Sequence, residues 1–311
     1  MNPDEIYEKV KLGKISPIEA MKALKGVDIN KDTNTQKKEF VALDPTKELN
    51  ELVGLTEVKE LVKELEAYLT IQKRRETEGL IVEPVVLHMI FKGNPGTGKT
   101  TVARILGKIL KHLNVLSKGH LVEVERADLV GEYIGQTAQK TRDKVNSALE
   151  GILFIDEAYS LARGGEKDFG KEAIDTLVKA MEDKKEQFIL ILAGYSDQMD
   201  YFLKTNPGLK SRFPIQIDFD NYTVNDLLKI AKLMLTKRDY KLSIPAEQKL
   251  KSILEKQLTF SLVNFSNARL VRNIIEKSIR LQAVRLIKER KVSRDLLMTI
   301  EQQDITEGGI S

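Results

Sequence analysis

Eight residues, Gly93-Asn94-Pro95-Gly96-Thr97-Gly98-Lys99-Thr100, lie between an apolar run at Val85–Phe91 and a stretch with helical apolar spacing. This segment constrains the fold more than any other. Glycine reaches backbone angles that other residues avoid, so the chain can curl tightly here and bring several peptide N–H groups to one side. A strand that feeds such a loop and then a helix is the first half of a βαβ unit. That unit requires a parallel sheet with a right-handed crossover.

The rest of the chain supplies the other strands. Leu121–Glu125, Ile152–Ile155, Phe188–Ala193 and Ile215–Phe219 are short apolar runs separated by helical stretches. Near-continuous apolar runs suit parallel strands covered on both faces. Leu55–Glu76 has helical spacing at Val58, Leu61, Val62, Leu65 and Leu69. After Asp220 the strands are expected to stop. Thr223–Arg238, Ala246–Glu255 and Ser266–Arg290 read as helices. The expected organisation is a small N-terminal helical segment and linker over 1–45, an α/β core over 46–220 and a helical domain over 221–311. In the first segment, Ser16-Pro17 reads as a helix start and the polar stretch 30–39 as a linker.

Composition excludes several classes. With 0 Cys among 311 residues there is no disulfide, thiolate metal site or cysteine nucleophile. Lys+Arg 50 against Asp+Glu 46 leaves +4. That is a mixed surface without the single-sign field of a dedicated nucleic-acid or membrane binder. No apolar run approaches the roughly 20 residues of a membrane span. The opening MNPDEIYEKV lacks a signal-peptide apolar region, so a cytoplasmic location without membrane contact is expected.

The chemistry concentrates in two places. The loop completes G-x-x-x-x-G-K-[ST], whose N–H groups and following helix N-terminus suit phosphate oxygens. Lys99 is expected to neutralise the β- and γ-phosphates, and Thr100 to ligate Mg²⁺. The expected nucleotide contacts are Asn94, Pro95, Gly96, Thr97, Gly98, Lys99, Thr100 and Thr101. The run Gly151-Ile152-Leu153-Phe154-Ile155-Asp156-Glu157 is an apolar strand ending in two acids. Carboxylates there face the ligand crevice of a parallel sheet. Asp156 is expected to hold Mg²⁺ and Glu157 to orient the attacking water. Thr236-Lys237-Arg238-Asp239 spells a guanine-recognition pattern but ends a helix, so it reads as a solvated terminus. His88, His112 and His120 show no metal-ligand spacing.

Together, FKGNPGTGKTTVA, ILFIDEAY, ILAGYSDQMD…NPGLKSRFP and FSNARLVRNIIEK resemble the AAA+ ATPases. The similarity is greatest to the branch containing the stage V sporulation protein K family and the red-type Rubisco activase CbbX. It covers about residues 46–290. DFGKEAIDTLVKAMED and the NPG before SRFP carry the branch assignment. The resemblance implies a P-loop AAA+ core, with a parallel five-stranded sheet and helices on both faces, followed by a small all-helical lid. It also implies ATP as the nucleotide. Val53 and Gly54 resemble the segment beside the adenine pocket. Arg212 resembles the arginine finger that reaches a neighbouring subunit's ATP, a contribution of about 10³–10⁵ in rate. Arg269 resembles the lid sensor of the γ-phosphate. The family's polar sensor at the end of the fourth strand is replaced by Ala193-Gly194-Tyr195-Ser196, leaving Tyr195 or Ser196 for that role.

Tyr133-Ile134-Gly135 resembles the aromatic pore loop of protein-threading members. An aromatic and an aliphatic between Gly131 and Gly135 also suit gripping a polypeptide by apolar contact. The function implied is an ATPase that forms a ring, a hexamer in the family's manner, and remodels or partly threads a protein client through a central pore. The alternative is a nucleic-acid-directed member of the clamp-loader or initiator type, for which the chain shows no DNA-reading appendage.

Overall fold

The computed structural model describes residues 45–83, 85–133, 135–164, 168–260, 265–289 and 291–307. The helical pair expected over 1–28 and the linker after it lie outside the described residues, as does Ile134. The described chain opens with helices Pro45–Asn50 and Thr56–Thr77. Five strands then form one parallel sheet: β1 (Met89–Gly93), β2 (Leu121–Val124), β3 (Ile152–Ile155), β4 (Ile189–Gly194) and β5 (Ile215–Phe219), in the order β2-β3-β4-β1-β5.

Side-chain alternation divides the core into two layers. Met89 and Phe91 of β1, Ile152 and Phe154 of β3, and Ile189, Ile191 and Ala193 of β4 face one layer. That layer is closed by Val102, Ile105, Leu106 and Ile109 of the helix Lys99–His112, with Val58 and Val62. The intervening strand residues Ile90, Leu153, Ile155, Leu190 and Leu192 face the other layer. Helices Gln136–Ser147, Gly170–Asp183 and Ser196–Thr205 cover it. The helix after β1 and the helix after β4 therefore lie on opposite faces, while β1 and β4 are neighbours. Their carboxyl ends diverge into a crevice, the place where open parallel sheets bind ligands.

β1 begins at Met89 and not at Val85. Its ladder to β4 starts at Met89↔Ile191 and its ladder to β5 at Met89↔Ile215. Apolarity marks burial upstream, as at Leu87 and His88, but a strand extends only as far as its partners. The edge strand β5 alternates, with Gln216 and Asp218 exposed and Ile217 and Phe219 buried.

Beyond the sheet, helices Val224–Thr236, Ile244–Phe260 and Asn267–Leu286 enclose a separate apolar cluster around Leu227, Ala231, Leu250, Leu254 and Ile274. The expectation that strands end at Asp220 is corrected here. Lys241–Leu242 (β6) pairs in parallel with Thr299–Ile300 (β7). Two-residue strands carry no readable period. The terminal segment is held by Gln282, whose amide donates to the carbonyls of Leu296, Leu297 and Thr299 at 3.1, 3.0 and 2.9 Å. Arg285 also grips Asp304 through two nitrogens, Nε at 2.9 Å and Nη2 at 2.8 Å.

His88 sits just before β1, 1% exposed, with its ring tilted against Phe188 and Phe213. Its Nδ1 accepts the Leu190 N–H at 3.0 Å. Burial lowers its pKa to about 4, with the Met181 backbone pulling weakly the other way. The unfolded chain, near the ordinary value of 6.5, thus binds the proton first as pH falls. Stability present above pH 6.5 should drain away between 6.5 and about 4, by on the order of 2–3 kcal/mol. Urea titrations across that window should show the loss. His88→Asn, which keeps an acceptor for Leu190 but does not titrate, should flatten this component. An unchanged slope in the variant would reject the assignment.

Candidate nucleotide site

Local chemistry shapes the loop after β1. Gly93 has φ 145°, and a Cβ there would lie 2.3 Å from the Phe219 carbonyl. The close β1–β5 approach therefore excludes any side chain. Gly98 at φ 101° starts the helix Lys99–His112 from a left-handed conformation. Thr97 is fully buried and its hydroxyl donates to the Asn94 carbonyl at 2.8 Å. Lys99 Nζ donates to the carbonyls of Gly93 (2.7 Å) and Asn94 (2.9 Å). Burial lowers the Lys99 pKa; Asp156 opposes the shift, Arg269 adds to it, and Glu157 opposes it. Those four charges therefore share one field.

They surround a cavity of about 760 Å³ at the carboxyl ends of the strands. That volume is within the roughly 300–1,000 Å³ usual for small-molecule sites. Gly93, Pro95, Gly96, Gly98, Lys99, Thr100 and Thr101 form its floor. Asp156 and Glu157 enter from the end of β3, and Tyr195 from the end of β4. Of the other expected residues, Val53 and Arg269 lie on the walls. Asp156 Oδ1 accepts the Glu157 N–H at 3.0 Å. Glu157 has φ 47°, a left-handed conformation in a residue with a Cβ, at a cost of order 1–3 kcal/mol. This turn carries its exposed side chain to the mouth of the cavity. Tyr159 lies beside it: burial and then the Glu157 carboxylate raise the phenol to about 12, while Arg163, stacked 4.7 Å from the ring centroid, pulls it down.

Several expected residues are elsewhere. Asn94, Thr97 and Gly54 do not line the cavity; they hold it from behind. Gly54, at φ 64°, packs under Tyr222, whose ring would lie 3.2 Å from a Cβ. Ser196 opens a helix away from the walls, so of the two sensor candidates only Tyr195 reaches the cavity. Arg212 is also outside it, paired with Glu182 and donating to the Gly208 carbonyl. Tyr133 is 68% exposed, and Gly135, at φ 83°, starts the helix after it. The loop is remote from the cavity lining. Thr236–Asp239 is an exposed helix end off the sheet, as expected, but its Lys237 also borders the cavity.

Sequence reasoning missed the upper wall. Ile230, Leu233, Met234 and Lys237 face the cavity from the helix Val224–Thr236, with Tyr222 below and Arg272 beside Arg269. The signal was available. Leu227, Leu228, Ala231 and Leu235 form the helix's core face; Ile230 and Met234 pack against that core only in part, and with the exposed Leu233 they leave a second apolar stripe to cover. Leu52, Val53 and Leu55 face the same space. The cavity thus has an apolar end and a charged end, as an aromatic base joined to phosphates requires.

Comparisons with known proteins agree with this geometry. Residues 89–221 match the ATPase family associated with various cellular activities (AAA), and residues 223–308 match the AAA lid domain. Stage V sporulation protein K of Bacillus subtilis is 61% identical over 261 residues, spanning 84% of this chain and 81% of that protein. The chloroplastic ribulose bisphosphate carboxylase/oxygenase activase of Cyanidioschyzon merolae is 42% identical over 258 residues, 82% of this chain and 87% of that one. Among solved structures, the Thermotoga maritima RuvB Holliday junction branch migration motor superposes with a TM-score of 0.51 at 20% identity, covering 80% of this chain and 69% of that one. That last likeness speaks to the fold alone.

Removing the cation from the cavity floor should be felt directly. Lys99→Ala is expected to weaken ATP binding at least a hundredfold in equilibrium titration while preserving the helical circular dichroism. Retained tight binding would reject the loop as the phosphate site.

Proposed function

Because the chain belongs to the AAA family of ATPases, and hydrolyses ATP as its members do, we propose that it works as a ring whose subunits complete one another's sites and that it pulls on a protein client. The observation that carries this reading is the position of Arg212. It is a guanidinium in the expected sequence context, yet it lies off its own chain's cavity and is held there by a surface pair with Glu182 and a hydrogen bond to the Gly208 carbonyl. Exposed pairs of this kind contribute about 0–1 kcal/mol. Arg212 can therefore leave Glu182 at little cost and reach the γ-phosphate bound to an adjoining copy. In this reading residues 46–220 act as the nucleotide-binding core and 221–311 as the lid.

Each residue then has a role. Backbone N–H groups of residues 96–100 bind phosphate oxygens, with Lys99 the neutralising cation. Thr101, at the same helix start, borders that phosphate end. The apolar end takes adenine, with Val53 and Gly54 shaping its entrance. Arg269 reaches the γ-phosphate from the lid. It stands in the first turn of its helix, where the dipole disfavours a cation, and a bound phosphate supplies a reason for it. Glu157 orients water, and Tyr195 closes that side. Thr100 and Asp156 fit Mg²⁺: both offer oxygen, and this ion commonly takes only one or two protein ligands beside phosphates. Mg²⁺ would neutralise charge on the phosphates as they separate.

Tyr133 and Gly135, with Ile134 between them, form the client-gripping tip. At 68% exposed, the Tyr133 ring is accessible to a client chain and offers it an apolar face. The relatives' names suggest two clients, a carboxylase or a sporulation component. The tip's apolar chemistry suits an unfolded segment of either. A DNA-directed role has less support, since the net charge of +4 gives no basic stripe.

Complementation tests the trans arrangement. Glu157→Gln chains should bind ATP but turn over at least a hundredfold more slowly. Arg212→Ala chains should be equally slow. Mixed together they should recover measurable turnover, because a Glu157→Gln chain can lend its Arg212 to an Arg212→Ala neighbour. No recovery, with turnover per chain independent of concentration, would sink the ring. Separately, Tyr133→Ala should leave ATP turnover within about twofold of wild type and abolish displacement of a labelled unfolded polypeptide. Undiminished displacement would rule out the tip.

A further inference from the structure

The phosphate loop is gripped from the lid side by its carbonyl oxygens. Asn267 Nδ2 donates to the Pro95 carbonyl at 3.3 Å, the Ala268 N–H to the Gly96 carbonyl at 3.2 Å, and the Tyr222 hydroxyl to the Thr97 carbonyl at 3.1 Å. Three consecutive loop peptides are thus held by three groups from outside the sheet. The donors are themselves tied together. Asn267 Oδ1 accepts the Tyr222 N–H at 2.9 Å, and its amide also donates to Asn221 Oδ1 at 2.8 Å and to the Phe265 carbonyl at 2.8 Å. Asn221 in turn accepts from Asn94 Nδ2 at 3.0 Å.

Peptide planarity gives this grip a consequence. The C=O of one residue and the N–H of the next point in opposite directions across a trans peptide. Holding the carbonyls of residues 95–97 toward the lid turns the N–H groups of Gly96, Thr97 and Gly98 the other way, toward the phosphate end of the cavity. Among the described residues, none accepts from those three N–H groups. Gly96 is pressed into the contact: a Cβ there would lie 2.4 Å from the Ser266 carbonyl and 2.8 Å from the Arg269 nitrogen. Asn267 is fully buried and has φ 46°. Asparagine adopts that conformation more readily than most residues.

We propose that Asn267 and Tyr222 are positioning residues that aim the loop's N–H groups at the β- and γ-phosphates, so that phosphate binding and lid attachment reinforce each other. This rests on the nucleotide reading of the cavity. A bound anion polarises each peptide and strengthens its carbonyl as an acceptor for the lid. By reciprocity, a firmly attached lid tightens anion binding by the same factor. The Tyr222 hydroxyl stays a donor throughout, since burial, with the Asp226 carboxylate adding, raises its pKa to about 12.

The experiment compares ATP, ADP and AMP by equilibrium titration on the full-length chain, with Lys99→Ala as reference. Tyr222→Phe keeps the ring and removes one donor. It should raise Kd for ATP and ADP about threefold to tenfold, the worth of one hydrogen bond, and for AMP by at most twofold. Asn267→Gly keeps the left-handed backbone and removes the amide. It should lose at least tenfold for ATP with the same ordering. Should Asn267→Gly fail to fold, Tyr222→Phe decides alone. Equal losses for all three nucleotides would show a general or base-pocket defect and overturn the proposal, as would no loss. If wild type itself does not bind ATP, the nucleotide reading falls instead, a result distinct from either of these. Amide hydrogen exchange gives the reciprocal measurement. ATP should slow exchange at the Ala268 N–H in wild type and do so less in Tyr222→Phe; equal slowing in both would count against the coupling.

Discussion

A run of backbone N–H groups left without internal partners is the constraint on which this structure turns. Buried donors of that kind cost about 1–3 kcal/mol each if they stay unpaired, and a free loop would collapse to pair them. Here the collapse is blocked on every side. Gly93 is pressed beneath the Phe219 carbonyl, Thr97 is sealed with its hydroxyl on Asn94, and Lys99 holds two loop carbonyls from within. The helix Lys99–His112 is anchored by Val102, Ile105, Leu106 and Ile109 against the sheet. The donors are therefore pre-set before any anion arrives, which is what makes an anion site selective and tight.

The sheet order supplies the second requirement, a set of acids close to those donors but outside the loop. Because β3 and β1 flank β4, the end of β3 lies one strand away from the loop. Asp156 and Glu157 reach the cavity without contacting the loop's own backbone. The left-handed turn at Glu157 is a local strain offset by the packing of Ala158, Tyr159 and Leu161 behind it. The charge pattern that results has cations on the loop and lid sides, carboxylates at the end of β3, and Glu48 and Glu51 on the wall before the sheet. It can bind a polyanion and still keep a carboxylate near its far end.

Much of this was legible from residues alone, and the reasons are physical. The central strands Ile152–Ile155 and Ile189–Gly194 are buried on both faces, so their apolar runs stand out. The loop glycines and the Asp156-Glu157 pair follow from backbone and charge requirements that no other residues meet as well. The start of β1 was misplaced because burial and pairing are different properties; Leu87 and His88 have the first character without the second. The β6–β7 pair was invisible because two residues have no period. Tyr222 and the outer stripe of the helix Val224–Thr236 were missed because their partners are more than a hundred positions away in the chain, and single-segment periodicity contains no such information. Asn267 was missed for another reason: the motif drew attention to Arg269 as the cation, whereas four hydrogen-bonding partners converge on Asn267.

This last point bears on how hydrolysis could move anything. A lid joined to the core by apolar packing alone would slide with little dependence on what the loop holds. On the proposed reading the lid is joined through the carbonyls of the peptides that bind phosphate, so losing a phosphate would change the strength of its own attachments. The differential that any nucleotide-driven motion requires then arises at the hinge, one peptide away from the ligand, and needs no longer chain of contacts. It also gives a reason for Gly96, where a Cβ would run into the Ser266 carbonyl and the Arg269 nitrogen.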